Sequence, residues 1–515
     1  MQPSDFLTIL GLALASWAII PNKERRFILL FFSNLEIGLF IASLFIIHYL
    51  MSFDWVLKNW FPSLSFFTIK IGIPSRTWAY ILALMTISYP IIKVSFGYFS
   101  ASRLKNLIAL YETYLKENEI DLLVNYISKY HIYDIKKYLQ GISYLPEKKS
   151  IDIILRRKTE NDKEFRKLIK PRRIQFAASV YGYIIQNETF VNKAANKYPD
   201  LFATAFSGIE TSRASNSDLL QRYIECLFEN NNQSFVQELK IVNGSSSSIL
   251  DINANIEIPI LFSILGHTKA AAANHVWYPV GEGAIKSLKY DNKQNEFLLR
   301  VYDSDLKEEL WNYKIYVSIV YFDYMVRETI YRESGWHMWL FYFRSLLPHL
   351  LNIIPSKNEY NGDSEYPSFT HYIISEEFSI MVNWLNLAKE LDTDNRVIDT
   401  IRCLGDCVHS ICNIDNSKIS VKFKRRQLDK ILRIYFEFSN YSNNTGATTA
   451  RVWLEKMFLN PKGVDFGIHE TTEEYLMALQ DSWNEFDKVP YQYREDNGSI
   501  QNFVANVLIP LRLKE

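Results

Sequence analysis

The stretch Phe27–Leu50 reads FILLFFSNLEIGLFIASLFIIHYL, and Glu36 is its single charged residue. Its 24 residues exceed the roughly 20 apolar residues that a helix needs to cross a bilayer. Two further apolar stretches flank it, Phe6–Ile20 and Trp78–Tyr98. A secretory signal peptide is disfavoured, because Met1–Asp5 carries an acid and no base. The sequence therefore predicts an N-terminal transmembrane helical bundle of two to three spans.

Basic residues indicate the orientation of these spans. Lys23, Arg25 and Arg26 lie between the first two stretches, and Arg103 and Lys105 follow the third. The positive-inside rule places both of these segments in the cytoplasm. The bulk of the chain is then expected to be cytoplasmic, with the spans in the inner (plasma) membrane and the lipid bilayer as a partner.

Polar side chains within the spans form the first candidate site. Glu36 is expected nine residues into its helix, near the midplane of the bilayer at about 1.5 Å per residue. Ser33, Glu36 and Ser43 share one helical face, while Lys93 lies near the inner end of its own helix. An unpaired carboxylate at that depth costs at least about 2.5 kcal/mol. Glu36 therefore either pairs with Lys93 or lines a pathway between the copies of a homo-oligomer.

The composition of the whole chain excludes several classes of protein. Its 515 residues include 57 basic and 57 acidic ones, so no global charge attracts nucleic acid or anionic lipid. Apolar residues make up 48% and aromatic residues 15% of the chain, which excludes disorder and predicts a large buried core.

Hydrophobic periodicity predicts a mainly α fold after the membrane region. Apolar residues recur at spacings of three and four over Leu104–Leu115, the pattern of an amphipathic helix. The segments Trp311–Ile330 and Trp336–Ile354 have the composition of buried, aromatic-rich helices. Strand-like alternation appears only briefly, for instance at Phe297–Val301 and Ile419–Phe423. The prediction is thus a small transmembrane bundle followed by a large cytoplasmic α-helical domain.

Loops divide the chain into three predicted parts. Residues 1–100 form the transmembrane region, and residues 101–243 form a juxtamembrane helical domain with a basic tract. A linker, Asn243–Ser248, contains a run of four serines and leads to a C-terminal helical domain over 250–515.

Two basic clusters interrupt the neutral chain, at Glu147–Arg173 and at Lys418–Arg433. The first has eleven basic and five acidic residues. It either rests on anionic lipid headgroups, binds nucleic acid or forms a solvated helix face, and nucleic acid is not the favoured partner. The candidate contacts for lipid or nucleic acid are Arg156, Arg157, Lys158, Arg166, Lys167, Lys170, Arg172, Arg173, Lys424, Arg425 and Arg426.

Tests for known chemistry mostly fail. Cys403, Cys407, His409 and Cys412 lie within ten residues, but on a helix Cys412 points away from the other two cysteines. We therefore expect core cysteines, with neither a metal site nor a cofactor. The sequence also lacks a phosphate-binding loop, a nucleophile elbow and a zinc-protease motif. These absences do not exclude an enzyme, but they favour a role without catalysis.

Two Arg–His spacings are similar to those of one enzyme family. Arg332 precedes His337 with four residues between them, and Arg402 precedes His409 with six. These spacings resemble the Arg-x4–6-His motif of HEPN ribonucleases. The resemblance implies an all-helical fold in which Arg and His pair across a dimer and cleave RNA through its 2′-hydroxyl. A satisfied core histidine is the alternative for His337, which lies between tryptophan and methionine.

The predicted layout suits coupling between a cytoplasmic domain and the membrane. We expect a membrane-anchored helical sensor or effector whose cytoplasmic domain controls an oligomeric membrane region, by membrane perturbation or an ion pathway. Architectural analogy indicates bacterial antiviral or stress defence. A HEPN-like membrane-tethered nuclease and a passive membrane scaffold are the alternatives. The expected partners are the bilayer, further copies of the chain, and a cytoplasmic protein or ligand.

Overall fold

The computed structural model of the chain is helical throughout the parts that it describes. No strand occurs among the described residues, which confirms the predicted mainly α fold. The described residues are 17–59, 75–95, 99–142, 173–207, 214–243, 257–332, 339–355, 364–388, 394–439, 441, 445–463, 471–486 and 497–513, together with Thr8, Gly11 and Ala15.

The chain forms two compact units, Met1–Ala194 and Ala195–Glu515. The predicted division at residues 100 and 243–250 stays a prediction. A 3₁₀ turn precedes α4, and α7 continues into a π-helical turn. The described α-helices of the first unit are α1 (Asn22–Leu29), α2 (Asn34–Asn59), α3 (Ser75–Ser95), α4 (Leu104–Lys116), α5 (Ile120–Tyr130), α6 (Ile132–Ile142), α7 (Arg173–Val180) and α8 (Glu188–Ala194).

A break divides the apolar stretch that opens the chain. The prediction of one continuous helix over Phe27–Leu50 is wrong, because α1 ends at Leu29 and α2 begins at Asn34. The hydroxyl of Ser33 accepts the Glu36 N–H at 3.2 Å, and the Glu36 carboxylate accepts the Ser33 N–H at 2.7 Å. This reciprocal capping box satisfies two donors that the start of a helix leaves free.

Helices α2 and α3 pack side by side as an antiparallel pair. Ile47 and Met51 of α2 form a small buried cluster with Ala79 and Ala83 of α3. Alanine side chains allow two helix backbones to approach closely. Each helix is long and apolar enough to cross a membrane, in agreement with two of the predicted spans. The other predicted span, Phe6–Ile20, lies largely outside the described residues.

The helices after the pair bury one face each, as their spacing predicts. In α4 the buried side chains are Leu107, Tyr111, Tyr114 and Leu115, which recur at steps of four, three and one. Helix α5 packs against both α4 and α6, and α7 packs against α6. Burial of such an apolar face, rather than helix propensity, supplies most of the stability of helices this short.

The second unit is an assembly of helices around one fully buried helix, α16. A 3₁₀ segment, Ser304–Asn312, precedes α16, and a π-helical turn follows α23. The described α-helices are α9 (Pro199–Phe206), α10 (Ala214–Glu229), α11 (Gln233–Asn243), α12 (Pro259–Leu265), α13 (Thr268–Ala273), α14 (Tyr278–Tyr290), α15 (Asn292–Leu298), α16 (Lys314–Tyr331), α17 (Trp339–Ile353), α18 (Phe369–Ala388), α19 (Asp394–Cys412), α20 (Val421–Ser439), α21 (Thr445–Leu459), α22 (Glu473–Phe486) and α23 (Asn497–Phe503).

Helix α16 confirms the predicted buried, aromatic-rich helix. Every side chain over Ile315–Ile330 is buried, and the helix packs against α11, α14, α17 and α18. Two ion pairs lie within this core at i,i+4 spacing, Asp323 with Arg327 and Glu328 with Arg332, each at 3.0 Å. Such pairing offsets part of the free energy that the burial of a charge costs.

A buried carboxylate joins α11 to the start of α12. Glu238 is 6% exposed, and it accepts the backbone N–H groups of Ile260 and Leu261 at 3.1 and 2.7 Å. Burial raises the pKa of Glu238 to about 7, and the two backbone donors offset only part of this rise. The carboxyl group therefore caps α12 and changes charge near neutral pH.

Both short strand predictions are wrong. Phe297 and Leu298 belong to the end of α15, and Ile419 lies just before α20. Phe297 stacks on Phe369 with ring centroids 4.5 Å apart, so its burial comes from a neighbouring helix rather than from a sheet. Apolar runs of five residues fit a helix face as well as a strand, and tertiary packing decides between them.

Candidate functional site

A polar cluster at one end of the α2–α3 pair is the candidate site. The Lys93 ammonium and the Tyr89 hydroxyl both donate to Oε1 of Glu36. Lys93 Nζ also lies 5.4 Å from the centroid of the Phe32 ring, a cation–π distance. The side chains of Lys93 and Glu36 are only 13% and 23% exposed. The ion pair that the sequence allowed is therefore present and largely enclosed.

Glu36 lies in the first turn of α2, so its predicted position at mid-helix is wrong. Helix α2 begins at Asn34, and Lys93 lies in the last turn of α3, which ends at Ser95. At 1.5 Å per residue, both charges lie within about 5 Å of a helix end. An acid at a helix start and a base at a helix end each complement the helix dipole.

A groove extends from this cluster along the pair. The Thr86 hydroxyl donates to the Ser43 hydroxyl at 3.2 Å, and Ser43 donates to the Phe40 carbonyl at 2.7 Å. The structure thus brings the predicted residues Glu36 and Ser43 into one groove, while Ser33 caps the helix. The groove is lined by Glu36, Leu39, Phe40, Ser43, Met85, Thr86 and Tyr89.

The outer surface of the α2–α3 pair is apolar and exposed. Only 11% of the apolar window of α2 and 17% of that of α3 are buried. The core helices of soluble proteins are mostly buried, as α16 is. The pair therefore presents bare apolar surface among the described residues. Large exposed side chains on it include Leu35, Leu39, Phe45, Trp78, Met85 and Ile91.

Aromatic rings connect the start of α2 to the helices that follow the pair. Phe31 stacks on Phe99 with centroids 4.2 Å apart, and Phe99 stacks on His131 at 5.1 Å. Nε2 of His131 is hydrogen-bonded to the Tyr111 hydroxyl at 2.9 Å. We call Phe31, Phe99, Tyr111 and His131 the junction cluster. It joins the α1–α2 break to α4 and to the segment between α5 and α6.

Arg103, which follows α3, forms hydrogen bonds to the break between α1 and α2. Its Nε donates to the Phe32 carbonyl at 3.0 Å, and its guanidinium also donates to the side chain of Asn34. The backbone N–H of Ser100 donates to the Leu30 carbonyl at 3.4 Å. The residues that follow α3 therefore hold the start of α2 in place.

Arg332 is engaged within the second unit. Its Nε donates to Glu328 at 3.0 Å, and Nη1 donates to the Gly266 carbonyl at the end of α12. A cation at a helix C-terminus satisfies carbonyl groups that have no partner within the helix. His337 lies outside the described residues, so its predicted pairing with an arginine stays a prediction.

Arg402 and His409 lie on one helix, α19. The Arg402 guanidinium pairs with Asp399 at 2.9 Å and lies over the Trp453 ring at 5.6 Å. The His409 ring is hydrogen-bonded to the Asn413 side chain at about 3 Å. His409 lies seven positions after Arg402, or about 10 Å along a helix. A catalytic pairing of the two would need a second copy, as the resemblance to HEPN ribonucleases implies.

The first basic cluster is described only at its end. Arg173 begins α7. Its contacts with lipid or nucleic acid stay a prediction. The other candidate contacts of this cluster lie outside the described residues: Arg156, Arg157, Lys158, Arg166, Lys167, Lys170 and Arg172.

The second basic cluster makes contacts within the protein itself. Lys424 is 1% exposed, and its ammonium donates to the carbonyls of Cys412 and Ile414 at 3.0 and 2.6 Å, at the end of α19. Arg425 lies 3.7 Å from a carboxylate on α22, and Arg426 donates to a backbone carbonyl at 2.8 Å. In this structure Lys424 serves as a helix cap rather than as a surface charge.

The cysteines of α19 are buried. Cys403 donates its thiol to the Leu340 carbonyl at 3.2 Å, and Cys407 and Cys412 are also enclosed. The neighbouring Cys403 and burial raise the pKa of Cys407, so its thiolate is disfavoured. Within the described ranges, no three side chains of His, Cys, Asp or Glu are grouped to hold a metal ion.

Sequence reasoning missed three features of the site: Tyr89, Thr86 and the capping role of Ser33. The pattern Ser33-x-x-Glu36 is the signature of a capping box and was readable in the sequence. Tyr89 lies four residues before Lys93, so both side chains share one face of α3. Their meeting with Glu36 depends on the register of the two helices, which local sequence does not specify.

Comparison with known proteins adds no relative. No protein-family model, no curated protein and no solved structure matches the chain. Function is therefore inferred from the geometry of the α2–α3 pair and from the contacts that connect it to the following helices.

Proposed function

We propose that this protein is a membrane-anchored helical effector whose α2–α3 pair spans the inner membrane. The observation that carries the proposal is the bare apolar surface of the pair, together with the pairing of Glu36 and Lys93, the charged residues nearest to it at one end. Helix α3 has 21 residues, or about 31 Å at 1.5 Å per residue, close to the thickness of a ~30 Å hydrocarbon core. Water is a poor solvent for such a surface, and lipid is a good one.

The distribution of basic residues supports a cytoplasmic location for the rest of the chain. The start of α2 and the end of α3 lie together, since Glu36 contacts Lys93. Arg26 precedes this end of the pair and Arg103 follows it. The positive-inside rule assigns such an end to the cytoplasmic face.

The groove supports assembly of the pair into a homo-oligomer. Ser43 and Thr86 place hydroxyl groups in a groove that opens away from the α2–α3 contact. Both hydroxyls already donate hydrogen bonds within the pair, so a second copy would associate by close packing of its helices into the groove. Glu36 at the end of the groove then faces either the interface or an ion pathway between copies.

The junction cluster supplies the connection between the membrane pair and the cytoplasmic helices. Its rings pack the α1–α2 break against α4 and the α5–α6 segment. Close-packed rings transmit the displacement of one helix to the next, because a packed core changes between discrete arrangements and does not deform continuously. A cytoplasmic partner or ligand that moves these helices would alter the packing of the pair. By architectural analogy, we place this effector in bacterial antiviral or stress defence.

Membrane potential on induced expression in bacteria tests the proposal. The variants are Glu36→Gln and Lys93→Met, and the matched control is Glu24→Gln, which removes an exposed acid from α1. We expect the unaltered protein to depolarise the membrane, both site variants to change the extent of depolarisation, and the control to match the unaltered protein.

Two outcomes would contradict this function. Loss of viability at an unchanged potential would favour the membrane-tethered nuclease, whose activity would then have to be lost in Arg332→Ala and Arg402→Ala. An unchanged potential together with full viability, under conditions that activate host defence, would favour the passive scaffold.

A further inference from the structure

Three sulfur atoms meet in the core where α18 packs against α19. Cys403 and Cys407 lie one turn apart on α19, and their thiols interact with each other. Sγ of Cys403 lies 3.9 Å from Sδ of Met381 on α18. All three side chains are buried. The fold thus adds a thioether, from 22 residues earlier in the chain, to a pair of cysteines that the sequence places on one helix face.

An unpartnered carboxyl group accompanies the sulfur atoms. Glu377 precedes Met381 by four residues on α18, so the two buried side chains share one helix face. Glu377 is 0% exposed, and within the described ranges neither of its side-chain oxygens has a hydrogen-bond partner. It interacts electrostatically with Cys403 and Cys407. Buried polar atoms are normally satisfied, so this carboxyl group points to a ligand that changes the state of the nearby thiols.

Soft sulfur ligands select a soft cation. A thioether is a ligand for Cu(I), whereas Zn²⁺ prefers four ligands drawn from Cys, His, Asp and Glu. In the part of the chain that the structure describes, no three side chains of those four types are grouped to hold a metal ion. Metal–sulfur bonds of about 2.3 Å would place the sulfurs of a trigonal site about 4 Å apart. The 3.9 Å between Cys403 and Met381 is therefore a suitable spacing for one shared ion.

We propose that Cys403, Cys407 and Met381 form a binding site for one Cu(I) ion. Each sulfur donates an electron pair to the ion. The two thiols release two protons to water, and no electron is transferred. Two thiolates exceed the charge of the ion by one, and Glu377, as a neutral acid, donates its O–H toward this excess charge. The carboxyl group thereby gains the acceptor that it lacks.

Binding of the ion would strengthen the contact between α18 and α19. The Cys403 thiol gives up its hydrogen bond to the Leu340 carbonyl of α17 and gains a bond to the metal. The unfolded chain does not hold the three sulfurs together, so the ion favours the folded state and raises its unfolding temperature. The site lies within the second unit, so this inference does not depend on membrane insertion.

The test uses the full chain purified in detergent under reducing, oxygen-free conditions. Cu(I) is added as its acetonitrile complex in competition with bicinchoninate, and the copper that each chain retains is measured after gel filtration. X-ray absorption at the copper edge then counts the sulfur neighbours of the ion. We expect one copper per chain with three sulfur neighbours, together with a higher unfolding temperature. Zn²⁺ added in place of Cu(I) should leave the unfolding temperature unchanged.

Three variants separate this site from copper bound to any thiol. Met381→Leu keeps the side-chain volume and should lower the affinity for Cu(I) by about tenfold or more, with two sulfur neighbours left. Cys403→Ser should lose the copper to the competitor. Cys412→Ser is the matched control, because Cys412 is buried on the same helix but points away from the other two cysteines. Three sulfur neighbours in Met381→Leu, copper kept in Cys403→Ser, or copper lost in Cys412→Ser would overturn the proposal.

Discussion

Replacement of Glu238 by glutamine tests whether a buried carboxyl group makes the stability of the second unit depend on pH. Glu238 caps α12 through the N–H groups of Ile260 and Leu261. Oε1 of Glu238 accepts from Ile260 and Oε2 accepts from Leu261, so glutamine, which has nearly the same shape, keeps one of the two capping hydrogen bonds. It does not ionise, so the variant removes the charge change, and the lost capping bond lowers its stability by a similar amount at every pH.

The magnitude follows from the pKa of Glu238. Burial raises this pKa from 4.5 to about 7. Between these values the folded protein binds more protons at this site than the unfolded chain, so the free energy of unfolding falls as pH rises. At about 1.4 kcal/mol per tenfold change in the proton equilibrium, the loss from pH 4.5 to above pH 7 is about 3 kcal/mol. The stabilisation is fully present only below pH 4.5, and its loss is complete above pH 7.

Urea unfolding at pH 5, 6, 7 and 8, followed by tryptophan fluorescence, measures the effect. The quantity of interest is the difference between variant and unaltered protein at each pH, since all other titrations cancel in it. We expect Glu238→Gln to gain stability relative to the unaltered protein by about 3 kcal/mol between pH 5 and pH 8. Glu257→Gln is the control, because Glu257 is exposed just before α12. A Glu238→Gln difference as flat as that of the control would refute the reasoning.

Four further substitutions test the packing, the Lys424 helix cap and the two arginine sites. Gly281→Ala should cost about 1–3 kcal/mol in thermal unfolding, because a Cβ there would lie 2.0 Å from the Tyr342 ring. Lys424→Met should cost about 1–3 kcal/mol for each carbonyl left unpaired at the end of α19, measured by urea midpoint. Arg332→Ala should cost about 3–5 kcal/mol, since it removes the ion-pair partner of a buried carboxylate, whereas the exposed Arg402→Ala should cost less than about 1 kcal/mol. Ribonuclease activity lost in both arginine variants, with stability unchanged, would contradict the structural role of Arg332.

The helical architecture was largely predictable, because it rests on local properties of the sequence. Apolar spacing predicted α4 and its buried side chains Leu107 and Tyr111. A segment rich in aromatic and aliphatic residues predicted α16 as a core helix. Hydropathy and length alone identified α2 and α3 as helices able to cross a membrane. None of these inferences requires knowledge of which residues meet across the fold.

The candidate site was predictable only in part, because its contacts depend on helix register and on backbone groups. The Glu36–Lys93 pair was one of two alternatives that the sequence left open, and the predicted position of Glu36 was wrong because apolar residues on both sides conceal the helix break. The density of basic residues predicted that Lys424 belongs to a charged surface. In the structure its side chain is buried, and its ammonium donates to carbonyls at the end of α19.

The polar contacts of the α2–α3 pair are concentrated at one end, and this makes the pair mechanically asymmetric. Ionic contacts hold the Glu36 end, while Met51 and Ala79 meet through apolar packing alone among the described residues. Met51 lies fifteen residues beyond Glu36, or about 22 Å along α2. A pivot of about 5° at the charged end would move Met51 by about 2 Å, enough to lose most of its dispersion contacts. A small rotation at the Glu36 end of the pair would therefore become a larger separation of the two helices at the Met51 end.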